Sequence, residues 1–495
     1  MSAGREWPRI VSPRDPNAVP WFFSAPPRVI RGGFYLLFVY ATIPNLPFWI
    51  ANSFLLSAPR PYVNLDYLLI AMISMYLPAG ATVLLFTLAW IVDVGADSMY
   101  FYYFSQHDFV ASILFLGNIQ FGRVLIAGMA LICSGLAFEI GLRRLTRGFR
   151  SVSRVSVVIL SIGIISLIAL AAVLSSTQIV KRDVYRSHSL SNSVSFSCLR
   201  IAFLRHIAPP SSHSGIKINS ATKSILQELS SHDIATSRKR NLVVILIEAY
   251  GLIDDRQMQN RLLSPFTTPE IAANYNVQIS NVAFRGPTVS GEFRELCGLQ
   301  LDLSSASSVA SFSESCLPKL ATKAGYKTLA IHGFSRYMFD RGTWWPEMGF
   351  QSTLFLEDLQ PNPKTHLCSG PFPGVCDTDM GNIVGEKLLS SRGDSPNLIY
   401  WVTLNSHLPI QKGAAETSAV CGGTRTDIPD EGICLWAALV YRVNQSIANI
   451  ATLPGLPQTE FVVVGDHAPP FLFPARRERF SQTDVPVVHL VPKTL

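Results

Sequence analysis

The 495-residue chain is 48% hydrophobic and only 15% charged, with a mean hydropathy of +0.27, a balance that excludes an ordinary soluble enzyme of this length. Its net charge of +7 would suit nucleic acid, but the basic residues form no stripe. Arg5, Arg9, Arg14, Arg28 and Arg31, and the run RRLTRGFRSVSR at 143–154, flank apolar segments, which is how positive charge orients a membrane protein; no nucleic-acid partner is expected.

In chain order, apolar segments cover 34–56, 67–92, 100–119, 124–142 and 155–175, each about long enough to cross a hydrocarbon layer as a helix. The third is interrupted by Gln106, His107 and Asp108. The N-terminal stretch is rich in Pro and Arg with no early apolar core, so no cleavable signal peptide is expected. Five spans with the basic N-terminus inside leave 143–154 inside and everything after Ser176 outside; three spans would do the same. The predicted organisation is a membrane domain at 1–176, a juxtamembrane linker with amphipathic helices at 177–240, and a catalytic domain at 241–495.

Cysteine usage agrees with export. Cys133 and Cys198 belong to the N-terminal part, and the other six lie in the C-terminal part. Their order suggests three local disulfides, Cys297 with Cys316, Cys368 with Cys376 and Cys421 with Cys434, although six cysteines permit 15 pairings. Disulfides imply an oxidising compartment, and the absence of any Cys-x-x-Cys spacing argues against a cysteine metal site.

From residue 241 onward short apolar runs alternate with helical stretches. Strands are predicted at 242–247, 327–331, 397–404, 461–465 and 485–491, with a helix at 435–451 whose apolar residues recur at helical spacing. Runs apolar on both faces and separated by helices indicate an α/β fold, a central mostly parallel sheet covered by helices on both faces. Ligands bind at the carboxyl ends of such strands. There the sequence places Glu248, His332 with Gly333, Asn405 with Ser406 and His407, and Asp466 with His467. A single strand-end histidine is usually an ordinary polar turn; four strands ending this way point to a shared site. Carboxylate and imidazole together suit a divalent cation of the Zn or Mn type. Thr288 and Ser290, before a predicted helix, are the nucleophile candidates, with Ser290 also suited to capping that helix.

The order of Glu248, GPTVSGEF, HGFSRYMFDR, LNSHLP and VGDHAPP resembles the alkaline phosphatase and sulfatase superfamily, in particular its membrane-anchored branch of lipoteichoic acid synthases and phosphoethanolamine transferases. The resemblance covers 241–495. It implies that Glu248, Thr288, Asp466 and His467 bind one divalent metal ion, Mn or Zn, and that Thr288 is the nucleophile. It further implies that His332, Phe339, Arg341 and His407 contact the substrate, with Arg341 holding phosphate. Phe334 stands where the family often has a polar residue.

The resemblance thus implies a transferase of the bacterial cytoplasmic (inner) membrane with its catalytic domain outside, taking a phospholipid as donor and a glycan as acceptor through a phospho-threonine. Phosphoglycerol is favoured over phosphoethanolamine by the stretch from His332 to Arg341. The alternatives are a metal-dependent phosphodiesterase or sulfuric ester hydrolase on the same fold, and a non-catalytic glycan-binding domain. A formylglycine sulfatase would need a Cys-x-Pro-x-Arg type context, which neither Thr288 nor Ser290 has.

Overall fold

The computed structural model describes residues 240–493 except 301–308, 311, 361–363, 369, 371, 391–394, 409, 411, 423–429 and 472–473. It also describes 216–231 and, nearer the N-terminus, 38–40, 42–43, 45–46, 63–74, 77–101, 133, 135–141, 143–144 and 191–192. The described residues fall into two compact units, one including 63–93 and the other including 216–493.

Helices Leu65–Ile73 and Ala79–Phe101 replace the continuous segment expected at 67–92. The break has a local cause. The Ser74 hydroxyl turns back to the Ala71 carbonyl at 2.6 Å, and Pro78, which has no N–H to continue the first helix, stands before the second. Phe86 packs edge-on to Phe138 at 4.2 Å, and buried Glu139 pairs with Arg143. Among the described residues no helix is long and apolar enough to cross a membrane. The expected spans at 100–119 and 155–175, and most of those at 34–56 and 124–142, lie outside the described residues, as does Cys198.

The second unit is built on a seven-stranded sheet. In chain order its strands are β1 (Asn241–Ile247), β2 (Tyr275–Ala283), β3 (Lys327–His332), β4 (Ser352–Leu354), β5 (Asn397–Val402), β6 (Thr459–Gly465) and β7 (Asp484–Pro492). They lie side by side as β2-β7-β6-β1-β5-β3-β4. The five from β6 to β4 are parallel, whereas β7 and β2 run antiparallel at one edge. The five predicted strands are all present. The two additional ones, β2 and β4, are edge strands: β2 exposes most of its residues and β4 is only three residues long.

Every residue of β1 is buried, and alternate side chains feed opposite cores, as the pleat requires. Val243, Ile245 and Ile247 meet one core with Trp436, Val443 and Met380. Leu242, Val244 and Leu246 meet the other with Phe293, Leu296 and Trp345. Buried aliphatic side chains of this kind each contribute about 1.5–3 kcal/mol, so the two-faced apolar run is what places β1 at the centre.

The helices that concern the site are α1 (Lys223–Ser230), α2 (Thr288–Cys297), α3 (Arg341–Met348), α4 (Asp377–Ser390) and α5 (Glu431–Ala451). The long α5 begins at Asp430, whose carboxylate accepts from the N–H groups of Gly432 and Ile433. Ahead of the sheet, α1 buries Ile225 and Leu229, and Ile216–Lys217 pairs antiparallel with Leu299–Gln300.

The three expected disulfides are formed: Cys297–Cys316, Cys368–Cys376 and Cys421–Cys434. Each closes a short loop, with sequence separations of 19, 8 and 13. Loop closure of this size stabilises by about 3 kcal/mol in the chain-entropy account.

Candidate active site

Neighbouring parallel strands end at the same level, so β1 and β6 deliver their following residues to one place. Glu248 follows β1 and Asp466 follows β6, two strands paired along their whole length from Thr459 and Asn241 to Gly465 and Ile247. The chain then turns sharply. Ala249 adopts a left-handed conformation with φ 53°, which costs a residue with a side chain about 1 kcal/mol. In return its N–H donates to Asp466 Oδ1 at 2.7 Å and its carbonyl accepts from Trp436 Nε1 at 2.8 Å.

Helix α2 brings the threonine. It starts at Thr288 directly after Pro287 and ends at Gly298, whose left-handed φ of 62° lets its N–H cap the Arg294 carbonyl. Ser290 is therefore inside the helix and does not cap it; the residue at the cap position is Pro287. The helix can lie this close because Gly291 faces Asp466: a Cβ there would stand 3.1 Å from the Asp466 Cβ. Gly465 is tighter still, since its Cβ would fall 2.0 Å from the Tyr250 carbonyl oxygen.

The four residues converge. Thr288 Oγ1 donates to Glu248 Oε2 at 2.9 Å and lies 3.5 Å from His467 Nε2. His467 Nε2 is 3.5 Å from Glu248 Oε1 and 3.3 Å from Asp466 Oδ2. One ligand atom each from Glu248, Asp466 and His467 can be chosen so that all lie within 4.8 Å of one another. Two details show that this donor set fits a cation. Glu248 Oε1 and Asp466 Oδ2 are buried with no hydrogen-bond partner, a costly arrangement for carboxylate oxygens unless something positive joins them. His467 Nδ1 lies 2.9 Å from the Ala468 carbonyl, so it carries the proton and leaves Nε2 with a lone pair facing the carboxylates.

The electrostatics agree. Burial pushes Glu248 up from its ordinary range. Burial, with Glu248 adding to it, pushes Asp466 up to about 7. Burial alone would lower His467, but Asp466 and Glu248 together raise it. A cation must displace the protons these groups hold. Its affinity is therefore expected to rise with pH through about 7, the value to which Asp466 is raised. Equilibrium dialysis with Mn2+ between about pH 5.5 and 8.5 measures this; a flat profile would contradict the proton competition.

The remaining predicted residues take different positions. His407 Nε2 is 3.9 Å from Glu248 Oε1, and its Nδ1 is held 2.6 Å from the Leu408 carbonyl. Burial pulls His407 down to about 4, so it is a neutral imidazole with its lone pair towards the centre. His332 is buried, with Nδ1 3.0 Å from the Val402 carbonyl. Burial, then the charge of Arg341, holds it well below the usual histidine range. Arg341 is 1% exposed, with Phe339 under its guanidinium at 5.0 Å. Asn405 and Ser406 act as supports: Asn405 Oδ1 accepts from the Asp377 N–H, and the Ser406 hydroxyl donates to the Glu248 carbonyl.

Four charged residues were missed from sequence. Glu292 holds Arg341. Arg294, paired with Glu295, donates to the Gly465 and Asp466 carbonyls at 2.6 and 3.2 Å. Asp377 accepts from the Leu404 and Asn405 N–H groups.

A mostly parallel sheet carrying two carboxylates and an imidazole at its strand ends, with a threonine at the start of the adjoining helix, defines an α/β enzyme of the alkaline phosphatase class. The sulfatase family model matches residues 240–494, and the chain belongs to that metal-dependent family. No curated protein matches it in sequence. Among solved structures it is similar to the lipoteichoic acid synthase LtaP from Listeria monocytogenes, at 12% identity and a TM-score of 0.39 over 55% of this chain and 71% of the other. It is also similar to the Streptococcus pyogenes phosphoglycerol transferase GacH in complex with sn-glycerol-1-phosphate, at 16% identity and 0.38 over 54% and 74%. The C-terminal periplasmic domain of EptC from Escherichia coli in complex with Zn is similar at 16% identity and 0.35 over 52% and 74%.

Proposed function

We propose that this protein is a membrane-bound, metal-dependent transferase that moves a phospholipid headgroup phosphate onto an exported glycan through a phosphorylated Thr288. The observation that carries the reading is the placement of Thr288 Oγ1, 2.9 Å from Glu248 Oε2 and 3.5 Å from His467 Nε2, at the centre of the donor set. Glu248, Asp466, His467 and the Thr288 oxygen would hold one Mn or Zn ion. A bound cation supplies positive charge that polarises the phosphate and makes the threonine hydroxyl easier to deprotonate.

The protein's own groups divide the work. Thr288 Oγ1 attacks phosphorus, the bond from phosphorus to the diacylglycerol oxygen breaks, and the proton given up by the threonine hydroxyl ends on the diacylglycerol oxygen as it leaves. Arg341 holds the phosphate oxygens. The acceptor hydroxyl then attacks phosphorus, the bond from phosphorus to the Thr288 oxygen breaks, and the acceptor's proton passes by way of the neutral His407 Nε2 to the Thr288 oxygen, restoring the free hydroxyl.

Three disulfides support a catalytic domain on the oxidising side of the cytoplasmic membrane. Exposed Leu69, Ile73, Leu84, Leu88, Ile91 and Val92 on the N-terminal helices support embedding in lipid. Phosphoglycerol is the favoured headgroup, with phosphoethanolamine second.

The test uses the full-length protein in vesicles containing labelled phosphatidylglycerol or phosphatidylethanolamine, with Mn2+ or Zn2+. Diacylglycerol release and a label on Thr288 are expected, more from phosphatidylglycerol. No release from either lipid with either metal would overturn the reading.

A further inference from the structure

Helix α2 carries an acidic residue one turn beyond the threonine, Glu292, on the same face. It is 0% exposed and every interaction it makes is with a charged or polar partner. Its Oε1 accepts from Arg341 Nε at 2.9 Å and pairs with Arg341 Nη2 at 2.8 Å. Its Oε2 accepts from Trp345 Nε1 at 3.0 Å. Arg341 in turn lies over the rings of Phe339 and Trp345, at 5.0 and 5.9 Å. Carboxylate, guanidinium and indole thus form one buried unit linking α2 and α3.

A buried guanidinium cannot stand unpaired, because losing its partner costs several kcal/mol. If Glu292 were neutral, Arg341 would move towards the next carboxylate it can reach. The next one along is Glu248, which accepts at 2.9 Å from Thr288, one turn back on the same face of α2, and its Oε1 has no hydrogen-bond partner.

We infer that Glu292 is a positioning residue that anchors Arg341 and thereby keeps the guanidinium from closing onto Glu248 and competing with the cation for that carboxylate. The anchoring leaves Arg341 Nη1 without a protein partner among the described residues, which is the edge available to a phosphate. The inference rests on the proposed reading of Glu248, Asp466 and His467 as the cation site.

The test reads Mn2+ binding alone, by equilibrium dialysis on the full-length protein in detergent with no lipid present, so its failure is distinct from a failure of the transfer reaction. Glu292→Gln, which keeps the shape and the Trp345 hydrogen bond, is expected to weaken Mn2+ binding about tenfold. Adding Arg341→Gln should bring the affinity back to within about twofold of Arg341→Gln alone, because the competitor has gone. A purely structural role for Glu292 would show no such rescue. Trp345→Phe, which loosens Glu292 without removing its charge, is expected to weaken Mn2+ about threefold and serves where Glu292→Gln does not fold. Wild-type affinity in the folded single variants, or a double variant as weak as Glu292→Gln, would overturn the inference.

Discussion

Replacing Thr288 with alanine is expected to abolish diacylglycerol release and the covalent label, lowering turnover by roughly a thousandfold or more. The change removes the oxygen poised between Glu248 Oε2 and His467 Nε2 and leaves in place Glu248, Asp466 and His467, the three other donors of the proposed cation site. Ser290 offers no substitute, since two residues along a helix turn its side chain about 200° away. Thr288→Ser keeps the hydroxyl and should retain a large part of the rate. The measurement is single-turnover release of diacylglycerol together with intact mass of the protein. Wild-type turnover by the alanine variant would remove the covalent step from the mechanism.

Asp466→Asn is expected to produce two opposite effects. Metal affinity should fall on the order of a hundredfold, as expected when one charged donor of a small set is lost. The metal-free protein, by contrast, should become more stable. Burial and the neighbouring Glu248 charge push Asp466 up to about 7, so near neutral pH the folded chain holds a carboxyl that is easier to ionise once unfolded. A folded-state pKa raised above the unfolded one means that stability is lost as pH rises from about 4 through 7. Asparagine removes that loss while its side-chain oxygen can still accept from the Ala249 and His467 N–H groups. Thermal unfolding with and without Mn2+ separates the two: a higher midpoint without metal and little gain with it. A variant that Mn2+ stabilises as strongly as the wild type would show that Asp466 is not a ligand.

The strand ends were legible in the sequence because a central parallel strand must be apolar on both faces, so the polar residue that breaks the run stands out. That is why Glu248, Asp466 and His467 could be collected from segments far apart. Strand β2 escaped for the opposite reason: at the sheet edge, Asn276, Gln278 and Ser280 alternate with Val277 and Ile279 without an apolar run. The start of α2 was misjudged because Ser290 is a better capping residue by type than Pro287, yet the approach of Gly291 to Asp466 fixes where the helix begins. Glu292, Arg294 and Glu295 were not recognisable as buried. Charges satisfy one another only in three dimensions, and EFRE in a helix has the same appearance whether it faces water or a core. The available signal was that Glu292 lies one helical turn after Thr288, a residue already singled out.

Glu248 and Asp466 are adjacent in space through strands that are neighbours in the sheet, but the hydrogen bond from Ala249 to Asp466 spans 217 residues of chain. Ribosomes add about 5–20 residues per second, so the second carboxylate emerges about 10–40 s after the first. During biosynthesis Thr288 is therefore made soon after Glu248 and long before Asp466 and His467. The cluster is completed only when β6, made long after β1, pairs with it, and a product truncated before β6 lacks Asp466 and His467.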